Sequence, residues 1–168
     1  IPVLEYLIQM SDFEVLGVIS QPAKKTGRGR KLLDPPLASY AKNNNLLVLQ
    51  PQKASSPECI NTLKNLSIDL CITCAYGQIL TDEFLAIFKR GTINIHPSML
   101  PKYRGATPVQ SSLLHGDQST GISILFTVKE LDAGNIILQK EVKIKAQETA
   151  KELLPRLFKE SCKLLGDS

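Results

Sequence analysis

Thr92-Ile93-Asn94-Ile95-His96-Pro97-Ser98-Met99-Leu100-Pro101-Lys102-Tyr103-Arg104-Gly105 is a short strand that runs straight into a proline- and glycine-bounded loop. Side chains alternate faces along a strand, so Asn94 and His96 leave the same face while Ile95 packs on the other. A polar pair at the carboxyl end of a parallel strand stands where open α/β sheets bind ligands. Taken alone, the pair could equally be a solvent-facing strand end.

Outward from this strand, apolar residues switch repeatedly between a period near two and a helical period, the pattern of an α/β domain with a mostly parallel sheet flanked by helices. Upstream, the spacing predicts a helix over 2–10, a strand at 15–20, a loop over 21–36 and a helix over 37–44. A short strand at 46–49, a helix over 57–66 with proline in its first turn, a strand at 68–75 and a helix near 81–88 follow. Downstream, residues 97–107 read as irregular loop, and 108–114 as a helix ending at His115-Gly116-Asp117, with glycine as its C-terminal cap. Two half-buried strands, 121–128 and 136–144, flank Leu131-Asp132-Ala133-Gly134-Asn135. The last segment, 148–165, is an amphipathic helix, and Pro155 inside it predicts a kink or a late start. His115, at a helix end, is read as structural.

The chain has 168 residues, 43% hydrophobic and 21% charged, a composition of one folded domain rather than of a disordered chain. No apolar run approaches the roughly 18 residues of a membrane span, and the start of the chain carries no secretory pattern. A protein kept off membranes and in a reducing compartment, bacterial cytoplasm or organellar matrix, is expected. Cys71 and Cys74 form a C-x-x-C, but in a strand they point to opposite faces and cannot share a metal or a disulfide. No metal site is expected. The net charge of +4 is concentrated in one loop, where Lys24, Lys25, Arg28, Arg30 and Lys31 cluster.

Leu131-Asp132-Ala133-Gly134 alone would be an ordinary turn. Together, Asn-x-His-Pro-Ser-x-Leu-Pro-x-Tyr-Arg-Gly and the later Leu-Asp-x-Gly resemble the signature of the folate-dependent formyltransferases. The resemblance continues through Ala75-Tyr76-Gly77-Gln78-Ile79-Leu80, Gly116-Asp117 and Thr120-Gly121-Ile122-Ser123-Ile124, and so covers nearly the whole chain. It implies a Rossmann-like formyltransferase fold and 10-formyltetrahydrofolate as formyl donor. No G-x-G-x-x-G follows a strand, so a nicotinamide reading has no support.

By this resemblance Asn94, His96 and Asp132 are the catalytic residues. Asn94 and a protonated His96 would donate to the oxygen that becomes charged as an amine attacks the formyl carbon. Asp132 would favour the charged imidazole and help move a proton, directly or through water. Ser98, Met99, Leu100 and Pro101 match the family's folate-contacting loop, with Met99 where leucine is commoner. Tyr76, Gly77 and Ile79 match a wall of the pterin pocket.

The basic loop separates possible acceptors. Gln21 to Leu32 resembles the insertion found in the branch of the family that formylates methionyl-tRNA. There Arg28 would contact tRNA directly, with Lys24, Lys25, Arg30 and Lys31 supplying field. The partners implied are initiator methionyl-tRNA and the folate donor, acting on a monomer. The alternative is the same chemistry on glycinamide ribonucleotide, a sugar-nucleotide amine or water. A nucleic-acid-binding module without catalysis would use the loop but leave Asn94, His96 and Asp132 without a role, and it lacks interleaved aromatics. A parallel sheet ordinarily begins with a strand, yet none precedes residue 2, and the branch's C-terminal β-barrel does not follow. The reading therefore expects residues 1–168 to be a catalytic domain lacking its first strand.

Overall fold

The structure, a computed structural model, describes residues 1–26 and 31–167. Helix α1 (Pro2–Gln9) leads into strand β1 (Gly17–Ile19), which pairs in parallel with β4 (Leu47–Leu49). Between them lie β2 (Lys24–Thr26), β3 (Lys31–Leu33) and helix α2 (Pro36–Asn43). The Asn cluster stops α2 as its composition predicts: Asn45 takes a left-handed backbone, with φ of 57°, which asparagine tolerates better than most residues.

Helix α3 (Pro57–Asn65) starts under a side-chain cap, the Ser56 hydroxyl accepting from the Cys59 N–H. Strand β5 (Cys71–Thr73), helix α4 (Asp82–Leu85), β6 (Thr92–His96), α5 (Pro108–Leu114), β7 (Ser119–Phe126), β8 (Ile136–Lys143) and α6 (Ala150–Gly166) complete the chain. The larger sheet runs β5-β6-β7-β8. Only β5 and β6 are parallel there, while β6–β7 and β7–β8 are antiparallel. The expected mostly parallel sheet is therefore confined to the two pairs β1–β4 and β5–β6. Parallel neighbours need a crossover, and β7 and β8 are joined by a connection too short to make one.

Two apolar clusters cover the faces of the larger sheet. Ile93, Ile95, Ile122 and Ile124 pack with Leu153, Leu157 and Leu165 of α6, Val109 of α5 and Val3 of α1. Cys59 and Leu63 of α3 pack with Phe84 and Phe88, and Cys71 joins them. Cys74 belongs to the first cluster and Cys71 to the second, so the C-x-x-C is split between faces as the strand reading requires. Burial pushes both thiols up to about 12, which keeps them protonated. Among the described residues no group of His, Cys, Asp and Glu stands ready to hold a metal ion, and no helix is long and apolar enough to cross a membrane.

Three expectations need correction. The loop over 21–36 contains an antiparallel hairpin, in which Lys24 pairs with Leu33 and Thr26 with Lys31. Strand β7 is buried on both faces rather than on one, because helices cover one side and the loop after β6 the other. Helix α6 starts at Ala150 despite Pro155. The Pro155 ring lies on the exposed side and Lys151, whose carbonyl loses its partner, is exposed too, so water can satisfy that oxygen. A capping interaction fixes the start, the Glu152 carboxylate accepting from the Thr149 N–H at 2.9 Å.

The connection into α6 is held by one carboxylate, that of the half-buried residue Glu148. Arg156 donates to Glu148 from Nε at 2.7 Å and from Nη2 at 2.6 Å, and also reaches the Lys143 carbonyl at 2.8 Å. The Glu148 side chain is 5% exposed. Arg156 holds the Glu148 carboxyl below the usual carboxylate range, so its contribution is present above the free-carboxyl range and is lost as pH falls through the folded-state value. Glu148→Gln should cost about 1 kcal/mol at neutral pH, with the difference from wild type shrinking in acid. Urea melts at pH 7 and below pH 4 check this, and a pH-independent difference would show that the ion pair is not the source.

Candidate active site

Strands β5 and β6 are parallel, so their carboxyl ends emerge at one edge of the sheet, with Thr73 beside Asn94. Asn94 and His96 share a face while Ile93 and Ile95 sink into the core at 5% and 1% exposure, as the alternation demands. The loop between β7 and β8 brings Asp132 onto that face across a separation of 38 residues from Asn94. Asn94 Nδ2 donates to Asp132 Oδ1 at 3.3 Å, and His96 Nδ1 lies 3.5 Å from the same oxygen. The other carboxylate oxygen accepts from the Gly105 N–H at 2.8 Å. The three residues singled out by sequence thus form one cluster, in which the His96 and Asp132 side chains are 5% and 8% exposed and Asn94 is half-buried.

Two backbone features hold the carboxylate there. Asp132 itself is left-handed, with φ of 49°, an unfavourable conformation for a side-chain-bearing residue that clusters at functional sites. Two residues on, Gly134 leaves no room for a side chain, because a Cβ there would sit 1.8 Å from the Phe126 carbonyl oxygen. The glycine in Leu-Asp-x-Gly is therefore a requirement of close backbone approach, which returns the loop over the sheet.

His96 is held from both sides. Its Nε2 donates to the Tyr103 carbonyl at 2.9 Å, since a carbonyl can only accept, and its Nδ1 faces Asp132. Both ring nitrogens therefore face protein acceptors, and the second N–H of Asn94 is the one the cluster leaves for a ligand oxygen.

The loop 97–105 is anchored from beneath. The Ser123 hydroxyl accepts from the Leu100 N–H at 3.1 Å and donates to the Ser98 carbonyl at 2.7 Å. Gln139 Nε2 donates to the Leu100 carbonyl at 2.9 Å and to Ser123 Oγ at 2.7 Å. Ser98 is fully buried and its hydroxyl donates to the Lys102 carbonyl at 2.6 Å. Ser98 and Leu100, the latter 6% exposed, therefore shape the loop through these contacts. Met99 and Pro101 face instead a cavity of about 390 Å³ shared with Lys102, Tyr103, Asp117 and Thr120. Met99 lies where a Cβ on Gly121 would meet its sulfur at 2.4 Å, so Gly121 makes room for it.

The segment after β5 offers an open surface. Gly77 has φ of 74° with nothing near its missing Cβ, and Ile79 is 86% exposed. Tyr76 turns inward, its ring against Cys59, Phe84 and their neighbours, while its carbonyl accepts from Gln21 Nε2 at 2.8 Å. Gln78 ties the same segment down by accepting from the Ala54 N–H at 2.8 Å.

Lys24, Lys25 and Lys31 project from the hairpin exposed to solvent, whereas Arg28 and Arg30 lie outside the described residues. The hairpin base is tied to its neighbours. Asp34 accepts from Lys42 at 2.6 Å and from Gln50 at 3.1 Å, and Gln50 also donates to the Gln21 carbonyl at 3.2 Å.

Residues 3–167 match the sequence family described as Formyl transferase. The chain belongs to this family. Among its relatives, methionyl-tRNA formyltransferase of Acetivibrio thermocellus is 41% identical over all of this chain and 56% of its own length. The enzyme of the same name from Thermotoga maritima is 42% identical over 97% of this chain and 52% of its own. The chain thus spans about half the length of the curated relatives it matches. Among solved structures, glycinamide ribonucleotide transformylase 1 from Symbiobacterium toebii superposes with a TM-score of 0.82 at 22% identity, over 99% of this chain and 79% of that one. At that identity the likeness concerns the fold, and it agrees with the Rossmann-like α/β formyltransferase architecture expected from the motif.

Proposed function

We propose that this chain is the catalytic domain of a methionyl-tRNA formyltransferase, moving the formyl group of 10-formyltetrahydrofolate onto the amino group of methionyl-tRNA. The observation that carries the reading is the meeting of Asn94, His96 and Asp132 around a single carboxylate oxygen. The printed names of relatives more than 40% identical support the acceptor, as does a basic hairpin that a nucleotide-sized substrate would not need.

In this reading the free N–H of Asn94 donates to the formyl oxygen as the amine attacks and negative charge develops there. Asp132 takes the proton that the attacking nitrogen must lose, directly or through water, and His96 provides the adjoining charge and a path toward the departing folate nitrogen. Tyr103 and Gly105, through backbone groups, keep this pair in place. Gly77 and Ile79 offer open backbone and apolar surface to the flat donor ring system. No metal is required by this scheme, since charge is met by hydrogen-bond donors.

The acceptor is tested by offering the intact protein methionyl-tRNA, glycinamide ribonucleotide or no amine, with the same formyl donor. Formyl-methionyl-tRNA is the expected product. Formate without any amine would move the protein to the hydrolase branch. Replacing Lys24 and Lys25 together by alanine should weaken tRNA use and reduce the slope of log affinity against log salt by up to about 2. An unchanged slope would mean that the hairpin does not meet phosphate.

A further inference from the structure

We infer that Thr73 is a positioning residue for Asn94, an inference that rests on reading Asn94 as the donor to the formyl oxygen. Thr73 ends β5 and is the register partner of Asn94 on β6, so adjacent parallel strands present the two side chains on one face. Thr73 Oγ1 lies 2.9 Å from Asn94 Oδ1. The hydroxyl also approaches the Ile93 carbonyl at 3.2 Å, but it has one proton and the amide oxygen is nearer.

The direction of the amide follows from its two neighbours. An ionised Asp132 can only accept, so the amide nitrogen of Asn94 must face it. That leaves the amide oxygen directed at Thr73, whose hydroxyl must then donate. The amide plane is pinned at both ends, by Thr73 at oxygen and Asp132 at nitrogen, and the second N–H is held toward the open side of the cluster. Without the hydroxyl, the amide oxygen loses its partner and the terminal amide torsion, which is broad, is governed by one hydrogen bond of 3.3 Å alone. Preorganisation of a donor matters where charge appears only in the transition state, so the effect should fall on turnover rather than on substrate binding.

Thr73→Val keeps the branched shape that suits a strand and removes the hydroxyl. In the intact protein it should lower kcat about three- to tenfold, the scale of one hydrogen bond, with KM for the formyl donor changed by less than about twofold. Thr73→Ser should restore most of the rate. On an Asn94→Ala background, Thr73→Val should cost nothing further, because the group it positions is gone. Wild-type turnover in Thr73→Val, a rise in KM alone, or a loss that multiplies with Asn94→Ala would each overturn the inference. A second measurement is independent of catalysis. The side-chain amide signals of Asn94, assigned by their disappearance in Asn94→Ala, should shift and exchange faster with solvent in Thr73→Val and remain in place in Thr73→Ser. Unchanged signals would overturn the positioning role even if the wild-type protein transferred no formyl group, a result that would count against the proposed function instead.

Discussion

Asp132→Asn lowers formyl transfer by about 10²- to 10⁴-fold, the range for losing a positioned general acid–base group, while the domain stays folded and still binds the formyl donor. The substitution preserves size, and an amide oxygen can keep the 2.8 Å hydrogen bond from the Gly105 N–H. What it removes is charge and proton capacity. The carboxylate oxygen that Asn94 and His96 share can no longer be met by two donors and balance a protonated ring. The introduced amide nitrogen would present hydrogens to His96 Nδ1 and leave the ring neutral, with its one proton on the side of the Tyr103 carbonyl. Single-turnover kinetics and donor binding by fluorescence titration separate the two effects. Equal loss of binding and turnover would make Asp132 a structural residue.

Asn94→Ala should cost about 10²- to 10³-fold in turnover, the measured scale for removing one oxyanion donor. The expectation is sharpened by the structure, because His96 points both nitrogens at protein acceptors and Asn94 holds the unused N–H. Part of the loss is indirect, since Asp132 also loses a hydrogen bond and its left-handed backbone becomes less well held. Donor KM should move far less than kcat. A change below tenfold, with the protein folded, would show that the formyl oxygen is met by another group.

The elements that the sequence made legible were those with a burial pattern. Strand β6 could be read because Ile93 and Ile95 alternate with polar residues, and α6 because Leu153, Leu157 and Leu164 recur on one side. The hairpin of Lys24–Thr26 with Lys31–Leu33 could not, since Lys24, Lys25, Lys31, Leu32 and Leu33 are all exposed and no alternation marks a strand that buries neither face. Sheet direction was legible for β5 and β6, whereas β7 was read as buried on one face because Gly121 and Ser123 interrupt its apolar residues, and the burial of those two small residues shows only in the fold.

The site divides in the same way. Asn94 and His96 announce themselves by spacing along one strand, and Asp132 through its place in a specific motif. The parts that sequence reading missed act across long separations or through the main chain. Thr73 meets Asn94 only because β5 and β6 are neighbours, and Ser123 and Gln139 support the 97–105 loop from strands far along the chain. Tyr103 and Gly105 contribute a carbonyl and an N–H, groups every residue carries and no motif can advertise. The Ser98 hydroxyl likewise closes the loop on the Lys102 carbonyl, a contact that the motif itself does not display.

The most direct test of the central claim is the rate at which the intact protein moves a labelled formyl group from 10-formyltetrahydrofolate to methionyl-tRNA, measured beside His96→Ala. The account predicts transfer by the wild-type protein and a loss of at least about 10²-fold in the variant. Transfer that survives His96→Ala within tenfold, in a protein that folds normally, would contradict the assignment of the Asn94–His96–Asp132 cluster as the catalytic centre.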